Sequence, residues 1–187
     1  MKRLIALISA LLLMMQPLMA ESGRFAVSTN LLDYLRLGTL NVDASCGVSR
    51  HWSILVGARY NPFTFNEGNP QEQFQYRQRS FSAGARWWMW HCGSGWWLAG
   101  KARYQEYNTG GIAGSETEEG DRGGLGLYAG YTYMLSPHWN LELGVGMWGG
   151  RAWYRTYSCP LCGITVDSGA KWFARPDDVM MSFLYVF

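Results

Sequence analysis

The feature that most constrains this chain is a two-residue rhythm that recurs from Gly23 to the last residue. In "LYAGYTYML", Leu127, Ala129, Tyr131, Tyr133 and Leu135 fall on one face, and Gly126, Tyr128, Gly130 and Thr132 on the other. In "NLELGVGMW", Leu141, Leu143, Val145 and Met147 face one way, and Asn140, Glu142, Gly144 and Gly146 the other. Successive side chains of a strand point to opposite sides, so this pattern encodes strands with one apolar face and one small or polar face. Eight segments carry it: 24–32, 38–48, 52–63, 76–90, 96–108, 123–135, 139–154 and 177–187. Small and polar groups suit a narrow barrel interior. The 10 Trp, 11 Tyr, 8 Phe and 23 Gly come without a long apolar run after the N-terminus, which fits strands that are only half hydrophobic.

The connections alternate in length. "VSRHWS", "HCGSGW" and "LSPHWN" are short, whereas 64–75, 109–122 and 155–176 are long and polar; "DYLRLG", on the long side, is short. Short turns at one end and long loops at the other are the pattern of outer-membrane barrels. A soluble sandwich would need neither this alternation nor a terminal aromatic strand. The expected fold is all-β: an eight-stranded antiparallel up-and-down transmembrane β-barrel.

The N-terminal "MKRLIALISALLLMMQPLMA" has two basic residues, an apolar run from Leu4 to Met15 and small Ala20. It reads as a signal peptide over 1–20, because the run is too short to span a bilayer as a helix. The barrel domain is then 21–187. The whole chain has 16 Lys+Arg and 14 Asp+Glu; Lys2 and Arg3 leave with the signal, and the balance becomes neutral. Neutrality argues against nucleic acid as a partner. Export and an even strand count place both termini in the periplasm of a Gram-negative cell, with the barrel in the outer membrane. Outer-membrane lipid is then the first partner.

The last strand, "VMMSFLYVF", puts Val179, Met181, Phe183, Tyr185 and Phe187 on one face. Phe183, Tyr185 and Phe187 are the candidate assembly signal for the outer-membrane insertion machinery. "SRHWSILVG" and "SPHWNLELG" share S-x-H-W-x-x-x-x-G at the start of two strands. Trp52, Trp96, Trp97 and Trp139 are expected at the periplasmic interface, where indole rings favour the headgroup zone. Tyr60, Trp148, Trp153 and Tyr154 are expected in the outer girdle.

The same parity turns Asp43, Arg59, Arg86, Lys101, Arg103 and Glu142 into the lumen. Eight strands enclose little more than their own side chains, and buried charges must pair. The expectation is a charge network that plugs the lumen rather than a pore or proton path.

Cys159 and Cys162 form C-x-x-C in the last long loop. A redox pair would open a helix after a strand, and zinc would need about four ligands that the neighbourhood lacks. In an exported loop a small disulfide is expected. Cys46 and Cys92 sit on strands separated by another strand, a span that stretches a disulfide. Glu116, Glu118, Glu119 and Asp121 crowd the third long loop, as a solvated acidic tip or a weak Ca²⁺ site. All three histidines, His51, His91 and His138, lie in short turns, so no His stands near the outer rim for lipid hydrolysis. No catalytic residue, metal site or cofactor is expected. A lipid-modifying barrel enzyme and a soluble periplasmic barrel with a small apolar ligand are the alternatives.

The stretches "STNLLDYL", "ARYNPFTFN", "ARYQEYNTGGI" and "YSCPLCG", followed by a terminal aromatic strand, resemble the domain of unknown function 3575 family, small bacterial proteins like outer-membrane barrels. Asp43 stands where the family pattern has an acidic residue, usually Glu, and "SETEEGDR" departs from the family's more basic or aromatic third loop. The resemblance implies an exported barrel with no catalytic residues to carry over. It also implies a surface-assembly role, with fimbrial components as partners of the loops.

Overall fold

The structure is a computed structural model, and residues 24–66, 73–111, 116–158 and 163–187 are described by it. β1 (Phe25–Asn30) leads into a five-residue helix, α1 (Leu31–Leu35). β2 (Leu40–Gly47), β3 (Trp52–Asn61), the two-residue β4 (Thr64–Phe65) and β5 (Phe74–Trp88) follow. β6 (Gly95–Gly110), β7 (Thr117–Met134), β8 (Trp139–Tyr157) and β9 (Thr165–Val186) complete the wall, and from β5 onward the strands run to 15 residues or more. β1 pairs with both β2 and β9, and β3 pairs with β5, all antiparallel, so the eight main strands close on themselves. Closure leaves no strand edge unpaired around the ring. β4 is an appendage on β5.

Every one of the eight expected strands is present, but the strands on one side of the barrel run on well past its body. Segments 117–122, 155–157 and 165–176, expected as parts of long loops, are strand. Their ladders continue without a break from Gly110↔Thr117 to Gly95↔Thr132 between β6 and β7. The 117–122 and 155–157 extensions have no apolar face, and that of β9 has only a short one in Ala170, Trp172 and Ala174 amid charged and small residues, so little apolar alternation announces them. β9 bulges at Asp177, between Pro176 and Asp178, which pair with Met147 and Gly146 of its partner.

The short turns share one construction wherever S-x-H-W occurs. Val48 and Ser49 N–H donate to the Trp52 carbonyl, as Leu135 and Ser136 N–H do to that of Trp139. The His51 carbonyl accepts from Trp88 N–H and the His138 carbonyl from Val186 N–H, each at 2.8 Å. Each ring returns the contact: His51 Nδ1 lies 3.0 Å from the Trp88 carbonyl and His138 Nδ1 2.9 Å from that of Val186. A carbonyl only accepts, so Nδ1–H donates in both. The motif is a clip that ties a turn to the end of the neighbouring strand.

The two faces of the wall are chemically opposite. Outward, Ile54, Val56, Phe81, Leu98, Leu125, Leu127, Leu143, Val145, Met147 and Val179 form an exposed apolar surface, with Leu125 72%, Leu127 73% and Phe81 63% exposed. Inward lie Ser53, Ser80, Arg86, Lys101, Arg103, Gln105, Thr132, Asn140, Glu142 and Ser182, all buried. A small core of Leu55, Trp88, Trp97, Ala99, Tyr128 and Met180 fills the lower lumen. Glycines make room for its rings. A Cβ on Gly146 would stand 1.9 Å from the Tyr128 ring, and one on Gly130 2.4 Å from Trp97.

Candidate functional site

Two places concentrate chemistry: the lumen, and a groove on the outer wall above the apolar surface. In the lumen, Arg86 of β5 and Glu142 of β8 meet from strands three places apart around the ring. Arg86 Nη1 and Nη2 donate to the two carboxylate oxygens of Glu142 at 2.6 and 3.0 Å, and Thr132 Oγ1 donates to the same carboxylate at 3.1 Å. Arg86 is 6% and Glu142 3% exposed. The guanidinium also stacks over Trp97 at 4.1 Å and Trp88 at 5.2 Å, contacts that favour a cation on an aromatic face. Lys101 lies 4.6 Å from the Tyr128 ring, and Arg103 lies over Trp148 at 5.0 Å.

Asp43 and Arg59 also face inward. Asp43 spreads over Gly57, where a Cβ would stand 2.0 Å from its carboxylate. Arg59 Nε meets Asp33 Oδ2 at 2.7 Å, a partner that sequence alone did not identify. Asp33 belongs to α1 and is buried, so the connection "DYLRLG" folds into the barrel mouth rather than standing off it. Asn30 caps α1 by accepting from Leu32 N–H at 3.2 Å and also accepts from Met181 N–H at 3.0 Å. Asn41 accepts from Asn30 N–H and donates to its carbonyl. Asn61 donates to the Leu37 carbonyl and to Thr39 Oγ1. Asparagines at strand ends were the only signal for this network, since their amides satisfy backbone groups that the ladder leaves open.

Trp52, Trp96 and Trp139 are half exposed on the outer surface at the short-turn end, and Trp139 packs edge-on against Tyr185 at 5.0 Å. Trp97 is not with them: it is 1% exposed and faces the lumen under Arg86. With Trp96 outward, alternation turns Trp97 inward. The same rule removes Trp148 and Tyr154 from the girdle. Trp148 is 1% exposed in the lumen, and Tyr154 points inward to donate to Asp167 at 2.9 Å. Tyr60 and Trp153 do face out. Phe187 is exposed, near Phe25 at 5.5 Å and Tyr185 at 4.9 Å, and Phe183 lies 6.5 Å from Trp139. Cys159 and Cys162 lie outside the described residues, and Cys46 and Cys92 are free thiols.

The acidic residues of the third connection do not form one tip. Strand parity divides them. Glu118 faces inward, accepts from Tyr107 Oη at 2.6 Å and from Lys171 Nζ at 2.7 Å, and has Arg122 beside it. Burial pushes its carboxyl up, but the hydrogen bonds from Lys171 and Tyr107 and the nearby cations outweigh it, and Glu118 lies below its ordinary range. Burial, then the bond to Glu118, pushes Tyr107 up to about 12. Glu119 and Asp121 face outward, where Glu119 accepts from Tyr157 Oη at 2.6 Å and Asp121 from Tyr104 Oη at 2.9 Å.

Those outward acids belong to the groove. Register stacks two rows of side chains on the outer wall. Tyr60, Arg79, Glu106, Asp121 and Trp153 stand abreast in the lower row. Arg77, Asn108, Glu119, Arg155 and Ser168 stand abreast in the upper one. Between the rows runs a groove of about 690 Å³. Beneath it, Phe81, Tyr104, Gly123, Arg151 and Trp172 form a row that borders the apolar wall. The arrangement can hold a polar ligand against the wall.

A family model described as a protein of unknown function (DUF3575) matches residues 6–187, nearly the whole chain. Among curated proteins none matches the chain.

Proposed function

From the premise that the chain belongs to the DUF3575 family, whose function is unknown, we propose that it is a non-catalytic outer-membrane β-barrel. In this reading the lumen is plugged, and the polar strand extensions present a binding surface outside the cell. The observation that carries the reading is the inverted wall, apolar and exposed outside, polar and buried inside. Exposed apolar surface on this scale is costly in water and is what a barrel turns towards lipid. From Trp96 to Tyr104 the apolar stretch of β6 covers about 27 Å along the strand. At a tilt of about 40° that is about 20 Å along the barrel axis, close to the ~25 Å band of outer-membrane barrels. Trp52, Trp96 and Trp139 would mark the inner interface, and Tyr60, Tyr104 and Trp153 the outer one.

The plug is the Arg86–Glu142 pair with Trp97, Trp148 and Tyr128 around it. These side chains occupy the space a small apolar ligand would need, and the cavity left at the short-turn end is only about 30 Å³, room for about one water. That favours a structural lumen over a carrier. A non-catalytic role is supported by the histidine rings, since His51 and His138 are spent as clips at the end opposite the groove. Export by the 1–20 segment, recognition by the insertion machinery and a surface partner, fimbrial or otherwise, complete the proposal. Gel mobility tests it. The purified chain, unboiled in detergent, should migrate differently from the boiled chain; identical mobility together with solubility in detergent-free buffer would refute it.

A further inference from the structure

The groove on the outer wall has a chemistry that neither the plug nor the apolar surface explains. Its carboxylates are already engaged: Glu106 by Arg79, Asp121 by Tyr104, and Glu119 by Tyr157 and Asn108. Its upper-row cations differ. Arg77 and Arg155 are exposed, and neither makes an ion pair or hydrogen bond with another described residue. Engaged acids beside available guanidinium groups leave the groove with donors to offer an anion. Guanidinium presents a planar fork that fits phosphate oxygens two at a time.

Phosphate alone does not account for the rest. The groove is balanced in formal charge, Arg77, Arg79 and Arg155 against Glu106, Glu119 and Asp121, so bulk attraction of an anion is weak. Trp153 offers a half-exposed indole in the lower row, and Asn108 and Ser168 offer amide and hydroxyl groups in the upper. An aromatic face with short polar groups suits the flat, hydroxyl-rich ring of a sugar. About 690 Å³ is the size of a small-molecule site. The groove also adjoins the apolar wall on the same strands, with Leu125, Leu127 and Met147 below it.

We propose that the groove binds the bisphosphorylated sugar headgroup of a glycolipid, with Arg77 and Arg155, three strands and about 14 Å apart in the upper row, each on one phosphate, Trp153 against a sugar ring, and the acyl chains lying on the apolar wall beneath. The proposal rests on the membrane reading above. It gives the unexpected strand extensions a use: they supply Asp121 to the lower row of the groove and Glu119, Arg155 and Ser168 to the upper one.

Native mass spectrometry of the full chain in neutral detergent tests it. The probes are a bisphosphorylated diglucosamine lipid, the same lipid without phosphates, phosphatidylglycerol, and soluble glucose 1-phosphate. The phosphorylated glycolipid should bind about tenfold or more tightly than each of the others, as expected when charge-assisted hydrogen bonds are lost. Arg77→Gln with Arg155→Gln should lose at least that factor while the unboiled gel mobility stays unchanged, which separates a lost site from a lost fold. Equal binding of phosphatidylglycerol or of the dephosphorylated lipid would overturn the proposal. So would binding indifferent to the double substitution, or glucose 1-phosphate matching the lipid. A chain that folds and shifts on gels yet binds none of the probes refutes the groove alone, whereas a chain that shows no shift and needs no detergent refutes the membrane reading itself.

Discussion

Removing the Glu142 carboxylate tests the lumen most sharply. In Glu142→Leu the Arg86 guanidinium keeps its burial and loses both charge-assisted hydrogen bonds, at 2.6 and 3.0 Å. Breaking a buried ion pair from one side costs about 3–5 kcal/mol, because the remaining charge has neither water nor partner. The Trp97 and Trp88 faces stay in place at 4.1 and 5.2 Å and retain about 1–2 kcal/mol of cation–π attraction. The loss is therefore expected near the lower end, about 3 kcal/mol. Arg86→Met combined with Glu142→Leu removes both charges and keeps the volume, and should unfold within about 1 kcal/mol of the parent. The assay is reversible urea unfolding of the refolded barrel in lipid vesicles, followed by tryptophan fluorescence. A single substitution costing under about 1 kcal/mol, or a double one as unstable as the single, would show that the pair does not anchor the lumen.

Three further outcomes are expected. Leu127→Arg, 73% exposed on the outer wall, should cost about 2–4 kcal/mol in vesicles, as an arginine facing mid-bilayer lipid does; a near-zero cost in the same unfolding assay would mean that this face meets water. Glu118 has a depressed folded pKa, so its contribution is present above the ordinary glutamate value of about 4.3 and is lost as pH falls through the folded value. The protection of amides at the tops of β6 and β7, taken against the intrinsic exchange rate at each pH, should therefore fall in acid, and in Glu118→Gln that acid-dependent part should vanish. Planar lipid-bilayer recording of the folded monomer should give no steady conductance, and discrete single-channel steps would show an open lumen.

The barrel itself was legible because its body obeys one rule. Leu125, Leu127, Val145 and Met147 alternate with Gly126, Tyr128, Gly144 and Gly146, and the same alternation recurs over eight segments, as a closed antiparallel barrel requires. The same rule, carried two residues further, also places Trp148 inside, and carried one residue from Trp96 it turns Trp97 inward; aromatic identity pulls such residues towards the interface, but parity decides. The extensions were not legible. Residues 117–122 have no apolar face to betray a strand, and 165–175 only the short run Ala170, Trp172, Ala174 after a polar start; they hold their shape through the ladder and through pairs such as Lys171–Glu118 that join distant positions. α1 was hidden for a related reason. A five-residue helix gives no period to read, and its Asn30 cap and the reach of Asp33 to Arg59 are contacts that no local pattern announces. The lumen charges could be placed on the inner face from sequence, but their partners could not. Arg86 and Glu142 lie 56 residues apart, and only closure of the ring brings them together.

The central claim is that the exposed apolar wall faces lipid. Membranes from cells making the full chain, washed with alkaline carbonate and then treated with detergent, test it most directly. The account predicts that the protein stays in the outer-membrane pellet through the wash and is released only by detergent. Recovery in the periplasmic extract, or release by carbonate alone, would contradict it.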